Sequence, residues 1–372
     1  MRTTLRVALI CAVSLALPGA HAQQTEALRR QFVEHKAKAE QGDAAAQYQL
    51  GLCYYKAEGV EKDYPEAVKW YRKAAAQNYA KAQNNLGHCY YAGEGVKQGY
   101  TEAVKWYRKA AEQNDTRAQV NLGYCYALGQ GVAKDYAEAV EWYRKAAEQN
   151  FAYAQVSLGF CYANGEGVAK DYVEAVKWYR KAADQNHALA QDSLGFYYAN
   201  GQGVAKDDKE AAKWYRKAAE QNYVAAQIHL GFCYEWGEGV LRDFGEAVKW
   251  YRKAAQQNDA QAQYRLGACH ISGRGVELDN VEAVKWLRKA AEQNHAEAQS
   301  MLGTCYYAGK GVAKDSPEAY AWLNLAAKTD ENAAEFRDSL AKAMSPEQLA
   351  AGKKRGAELR AQIEAKLKSG GK

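Results

Sequence analysis

Tryptophan returns in this chain at a constant interval of 36 residues. Trp70, Trp106, Trp142, Trp178, Trp214, Trp250, Trp286 and Trp322 mark the series. Each stands in a close copy of one segment, written EAVKWYRKAAEQN at Glu102–Asn114. A fixed period of about 20 to 50 residues is the signature of a stacked repeat architecture, because each unit is too small to bury its own apolar face and needs a neighbour on either side. Eight units follow one another without a gap: 43–78, 79–114, 115–150, 151–186, 187–222, 223–258, 259–294 and 295–330.

The third copy, residues 115–150, serves to number positions 1 to 36 within a unit. Ala118, Gln119, Leu122, Gly123 and Tyr126 fall on one face at about 100° per residue, which predicts an amphipathic helix, A. Gly129 and Gly131 end it. Glycine holds position 17 in every unit, from Gly59 to Gly311, and a valine follows each time. A left-handed turn there explains the glycine. The G-x-G is no dinucleotide loop, since it follows a helix instead of a strand and recurs in unit after unit. Asp135 and Glu138 have the spacing of a capping box and open a second helix, B. Ala139, Trp142, Tyr143, Ala146 and Ala147 form its apolar stripe, and Arg144 and Glu148 are spaced for an i,i+4 pair. Asn150 tolerates the left-handed geometry that stops a helix. The Trp–Tyr stripe reads as core, not as a cofactor site.

The pattern A-x-A-Q-x-x-L-G-x-x-Y-x-x-G-x-G-V, followed by D-Y-x-E-A-x-K-W-Y-R-K-A-A, resembles the Sel-1-like repeat, a relative of the tetratricopeptide repeat. Ala57, His270 and Leu287 are among the few departures. The resemblance implies an all-α fold: an α-solenoid, a right-handed superhelix of antiparallel helix pairs with helix A on the concave side. It also implies an adaptor that holds proteins together. Secreted, cysteine-rich relatives described as penicillin-binding or weakly β-lactamase-like look like C-x₇-C repeats. This chain has one cysteine per repeat and no C-x₇-C, so that activity is kept only as a minor alternative.

The ends read differently. Arg2 and Arg6, the apolar run Val7–Leu17 and Ala20-His21-Ala22 have the order of a secretory signal peptide, residues 1–22, with cleavage expected after Ala22. This predicts a periplasmic or secreted product. The residue before Cys11 is Ile10, which argues against a lipid anchor. Residues 23–42 read as an N-terminal capping helix, with Leu28, Phe32 and Val33 on one side. Residues 331–372 read as C-terminal capping helices and a disordered tail. There Ser345, Pro346 and Gln348 hold the N-cap, N1 and N3 places of a final helix.

Net charge is +6 over the whole chain and falls to +4 once Arg2 and Arg6 are set aside. The basic residues are spread evenly, so nucleic acid is not an expected partner. No later segment is apolar enough for stable membrane insertion. Cys53, Cys89, Cys125, Cys161, Cys233, Cys269 and Cys305 share one repeat position, where the fifth unit has Tyr197. Equivalent atoms in neighbouring repeats should lie about 10 Å apart, one helix-packing distance, whereas a disulfide needs Cα atoms within about 7 Å. Buried free thiols are therefore expected. The histidines are scattered, with no HExxH, G-x-S-x-G or phosphate loop. No catalytic residue, cofactor or metal site is expected.

Differences between near-identical copies point to a binding surface. On helix A, positions 3, 6, 7, 10, 13 and 14 vary, and all are expected to face away from the core. Position 10 carries Tyr124, Phe160, Phe196 and Phe232 in consecutive units. This predicts an aromatic strip along the concave face, with Tyr153, Asn164, Asp192, Asn200, Trp236 and Tyr264 close by. Such a strip suits a peptide or partner protein of the cell envelope. A second use of the rings is stacking on cell-wall glycan or peptidoglycan, and a third is packing between neighbouring repeats.

Overall fold

The computed structural model describes residues 18–369. Among them are nineteen helices and no strand, arranged as two compact units divided between Lys170 and Asp171. The expected leader lies outside the described residues up to position 17, as do residues 370–372 of the expected tail.

The first unit begins with α1 (Pro18–Glu40). It continues through the pairs α2 (Ala44–Lys56) and α3 (Tyr64–Ala76), α4 (Ala80–Ala92) and α5 (Tyr100–Glu112), and α6 (Thr116–Leu128) and α7 (Tyr136–Glu148). It closes with α8 (Ala152–Asn164). The second unit opens with α9 (Tyr172–Asp184). Its pairs are α10 (Ala188–Asn200) and α11 (Asp208–Glu220), α12 (Val224–Trp236) and α13 (Phe244–Gln256), α14 (Ala260–Ser272) and α15 (Asn280–Ala291), and α16 (Ala296–Ala308) and α17 (Ser316–Ala326). Then come α18 (Glu331–Ala343) and α19 (Pro346–Ser369). Within each unit the even-numbered helices up to α16 are A helices and the odd-numbered ones from α3 to α17 are B helices, so each unit is an α-solenoid of adjacent pairs.

Local chemistry sets the boundaries. Helix α6 ends at Gly129, φ 69°, whose N–H bonds the carbonyl of Cys125. Ala57 adopts the same left-handed conformation after α2, φ 62°. Helix α7 starts where the Asp135 carboxylate accepts from the N–H groups of Ala137 and Glu138 at 2.9 and 3.1 Å. The expected reciprocal half of the box is not formed. The Asp135 N–H instead donates to the Tyr126 carbonyl of helix A. The glutamate of this motif serves the tryptophan, as where Glu66 accepts from the Trp70 indole at 2.9 Å. Asn150 and its six counterparts have φ between 61° and 66° and end their B helices.

Packing inside a pair is close. Leu122, Ala118, Ala139 and Ala146 are fully buried, and the Tyr143 ring lies where a Cβ on Gly123 would be, 2.7 Å away. Trp142 packs against Val104 and Tyr107 of the preceding repeat and Leu122 of its own. A polar spine runs through this apolar interior. The Gln119 amide donates to the Ala111 carbonyl of the preceding helix B at 3.2 Å and accepts from Gln149 of its own repeat at 3.0 Å. Gln83 and Gln227 repeat the arrangement. On the outside, Arg72, Arg108 and Arg144 donate to the hydroxyls of Tyr90, Tyr126 and Tyr162, each in the next repeat. Arg144 pairs with Glu141 at 3.1 Å instead of with Glu148, because its side chain turns toward Tyr162.

Both ends reuse the repeat. Ala39 of α1 offers its carbonyl to Gln47, the bond that Ala75 gives Gln83, so α1 stands in for a helix B. At the places where α3 buries Ala67, Tyr71 and Ala74, α1 has Gln31, His35 and Lys38, which suits a face with no helix A to cover it. At the other end α19 lies on α17. Ser345 and Gln348 exchange both capping bonds. Leu359 and Ile363 bury Trp322, and Arg355 binds Glu318 with two nitrogens at 2.7 and 3.3 Å. Ala321 and Leu325 replace the lysines of the preceding repeat, Lys285 and Lys289, and so admit the helix.

Candidate functional site

The faces of the A helices carry the variable residues, but not all of these are free. Position 6 is a contact between successive A helices. Tyr48, Asn84, Val156 and Ile228 are buried there, and the Asn121 amide reaches Asn84 of the previous repeat at 2.9 Å. The expectation that every variable position points away from the core is corrected accordingly. Variation at position 6 exchanges one packing solution for another.

In the first unit Phe160 is 40% exposed and Tyr153 is 53% exposed. Asn164 is spent on its own helix, donating to the Phe160 carbonyl at 2.9 Å. Tyr124 is half-buried, 6.5 Å from Tyr91 between ring centroids. Tyr91 in turn donates to Gln130 at 2.5 Å. Tyr55 donates to Glu94 at 2.6 Å, with the His88 imidazole 3.7 Å from the same carboxylate. These side chains are polar and aromatic, and their hydrogen bonds join one repeat to the next.

In the second unit Phe196 is 46% exposed and Trp236 is 59% exposed, and Asn200 donates to the Phe196 carbonyl at 2.8 Å. Asp192 is not a margin of the strip. It holds Nδ1 of His229 at 2.8 Å and is mostly covered, while the imidazole lies over Tyr215 at 4.8 Å. Phe232 is half-buried: its ring meets Tyr251 edge-on at 5.8 Å and carries the Arg265 guanidinium at 4.7 Å. Tyr264 stacks on His295 at 5.0 Å. Glu235 accepts from the Tyr251 hydroxyl at 2.6 Å; burial first, and then this bond, pushes the phenol far above its ordinary range. Position 10 is thus open at Phe160 and Phe196 and packed at Tyr124 and Phe232. Tyr91 packs on Tyr124 and Arg265 on Phe232, whereas for Phe160 and Phe196 the corresponding residues are Ala127 and Ala163, and Ser193 and His229.

The seven cysteines of the described residues are buried thiols, with no disulfide among them. Burial pushes Cys89, Cys125, Cys161 and Cys233 up to about 12. Tyr197 fills the equivalent place in the fifth unit and stacks on Tyr179 at 5.6 Å. Among the described residues no group of three or more His, Cys, Asp or Glu side chains has the arrangement to hold a metal ion. No helix of the described residues is long and apolar enough to cross a membrane.

Residues 44–79, 80–115, 116–151, 152–187, 188–223, 224–259, 260–295 and 296–328 each match the family model of the Sel1 repeat. The chain belongs to the Sel1 repeat family. Two solved relatives are similar along most of their length. A Sel1 repeat protein from Oxalobacter formigenes is 33% identical with a TM-score of 0.63, over 82% of this chain and 89% of that one. A protective antigen of uropathogenic Escherichia coli strains, displaying an SLR fold, is 32% identical with a TM-score of 0.55, over 89% and 95%. No curated protein sequence matches. Sel1 repeat proteins are in general scaffolds for protein interaction, and the fold is typically non-catalytic.

In this Sel1 repeat protein three groups of the second unit were missed by sequence reasoning: His229, Glu235 and Arg265. Each replaces a small or neutral residue of other copies, as Ser193, Ala199 and Ser157 show. That substitution was the available signal.

Proposed function

We propose that this protein is a non-catalytic scaffold of the bacterial cell envelope that holds a peptide or protein segment against the A helices of its second unit. The observation that carries the reading is the exposure of Phe196 and Trp236; no other copy has an aromatic ring at the place of Trp236. Large aromatic rings left in water beside fixed polar groups are the usual anchors of an interface. The Asp192–His229 pair and Glu235 supply hydrogen-bonding partners at a set height above the helix axes. The envelope location follows from the basic, apolar and small-residue order of the first 22 residues.

A photo-crosslinking residue at Phe196 or Trp236 in the exported protein tests the reading. Adducts with a protein are expected from both sites and not from a crosslinker at Lys213 on a B helix. Phe196→Ala and Trp236→Ala should each weaken capture by about 2 kcal/mol or more while leaving the melting temperature near its original value. Crosslinks to peptidoglycan fragments alone would replace the protein partner by a glycan. Equal yields at Lys213 would refute a site on the A helices.

A further inference from the structure

The turns that follow α12 and α14 depart from their counterparts. Positions 19 and 20 read Ala-Lys in the neighbouring fifth and eighth repeats, Ala205-Lys206 and Ala313-Lys314. The sixth has Leu241-Arg242 and the seventh Glu277-Leu278. Leu241 is 91% exposed and Leu278 58%, and Trp236 stands at the start of the first of these turns. Phe244 joins the two turns. Its ring carries the Arg242 guanidinium at 4.5 Å and that of Arg274, from the following turn, at 5.9 Å. Nε of Arg242 is further fixed to the Glu235 carbonyl at 3.0 Å.

The charges of this edge form no ion pair among the described residues. Among the described residues neither Arg242 nor Arg274 lies within ion-pair distance of a carboxylate. The same is true of Glu238 and Glu277 on the same turns, and all four are exposed. Asp243 and Asp279 are occupied in capping α13 and α15. An apolar centre beside two held arginines and two free glutamates is a self-complementary surface. Under a two-fold axis the patch meets itself, and each arginine can face a glutamate of the other copy. A strongly anionic partner would instead be repelled by the glutamates and the capping aspartates.

We propose that Leu241 and Leu278 dock onto the same edge of a second copy of this chain around a two-fold axis. Arg242 and Arg274 then pair with Glu238 and Glu277 of that copy. The association is weak, because the apolar centre is small and the rim stays wet.

Sedimentation velocity of the purified full chain over a wide concentration range tests this. A concentration-dependent monomer–dimer equilibrium is expected. Leu241→Asp with Leu278→Asp should weaken it by about tenfold or more without lowering the melting temperature, since both side chains are exposed. Arg242→Glu with Arg274→Glu, and Glu238→Arg with Glu277→Arg, should each give monomers. An equimolar mixture of these two charge variants should recover the dimer. A wild-type chain that stays monomeric at the highest soluble concentration overturns the proposal, as does a mixture that does not recover. Flotation of a monomeric wild type with vesicles of phosphatidylethanolamine and phosphatidylglycerol, lost in the Leu241→Asp variant, would also overturn it and assign the edge to a lipid surface.

Discussion

A methyl group on Gly131 would sit 2.3 Å from the carbonyl of Tyr100, the first residue of the preceding helix B. The glycine therefore answers two demands at once, a left-handed turn at φ 75° and a backbone contact between repeats. Gly131→Ala is expected to destabilise the chain by about 2–4 kcal/mol, the left-handed penalty plus overpacking against backbone. Gly129→Ala should cost only about 1 kcal/mol. Its nearest obstacle is the Cβ of Lys134 at 3.0 Å, with no backbone atom closer than 3.4 Å, and Ala57 already occupies the equivalent conformation. Urea unfolding of the two variants measures the difference. Equal losses would mean that the contact with Tyr100 contributes nothing.

His270 is the misfit of the seventh repeat. It is buried, and neither ring nitrogen has a hydrogen-bond partner. Most other repeats place a tyrosine here that accepts from an arginine 18 residues earlier, as Tyr126 does from Arg108. His270→Tyr should stabilise the chain by about 1 kcal/mol, through a new bond from Arg252 and removal of unpaired buried nitrogen. Thermal unfolding of the variant, with and without Arg252→Ala, shows whether the gain depends on the arginine. A loss of stability would mean that the site cannot seat the larger ring.

His295 gives the second unit a pH dependence. Its Nε2 donates to Gln261 at 2.9 Å, and its Nδ1 accepts from the N–H of Ala298 at the start of α16. Burial holds its pKa below the ordinary 6.5. The unfolded chain then binds the proton more readily than the folded one. The stabilising contribution is complete above about 6.5 and shrinks as the pH falls below that value, until the folded pKa is passed. Protonation also removes the lone pair that caps α16. His295→Asn keeps a cap and carries no titrating group, so its urea midpoint should change less between neutral pH and pH 5 than that of the parent chain. Parallel midpoints for the two proteins would rule this histidine out as the source.

The thiols should be chemically quiet. With Cys125 pushed up to about 12 by burial, almost no thiolate is present near neutral pH, and thiolate is the reactive form. Labelling by a disulfide reagent is expected to be slow in the folded chain and fast after unfolding without reductant. Rapid labelling of the native protein would show that the helix pairs open often.

Helix pairs, turns and caps were legible because the same 36 residues are written repeatedly, and chance patterns do not survive that many copies. The strip was less legible. Tyr124 and Phe232 share position 10 with Phe160 and Phe196, yet the side chains that pack on them, Tyr91 and Arg265, come from the preceding and the following repeat. The polar spine was hidden for a different reason. Gln119 stands on an apolar face, and periodicity records where a residue points, not which carbonyl awaits it. Helix α1 escaped the repeat count because Glu34 stands where α3 has Trp70. Its kinship appears only in the bond from Gln47 to Ala39.

The spine has a consequence for how such chains change length. Gln83 reaches back to Ala75, and Gln119 reaches back to Ala111; each bond crosses eight residues into the preceding repeat and lands on an identical address. Removing or inserting 36 residues therefore rejoins every glutamine of the spine to an alanine carbonyl, wherever in the period the cut falls. Unequal recombination between copies of the gene need not respect helix ends. Any crossover that keeps the phase yields a chain whose spine is still bonded throughout.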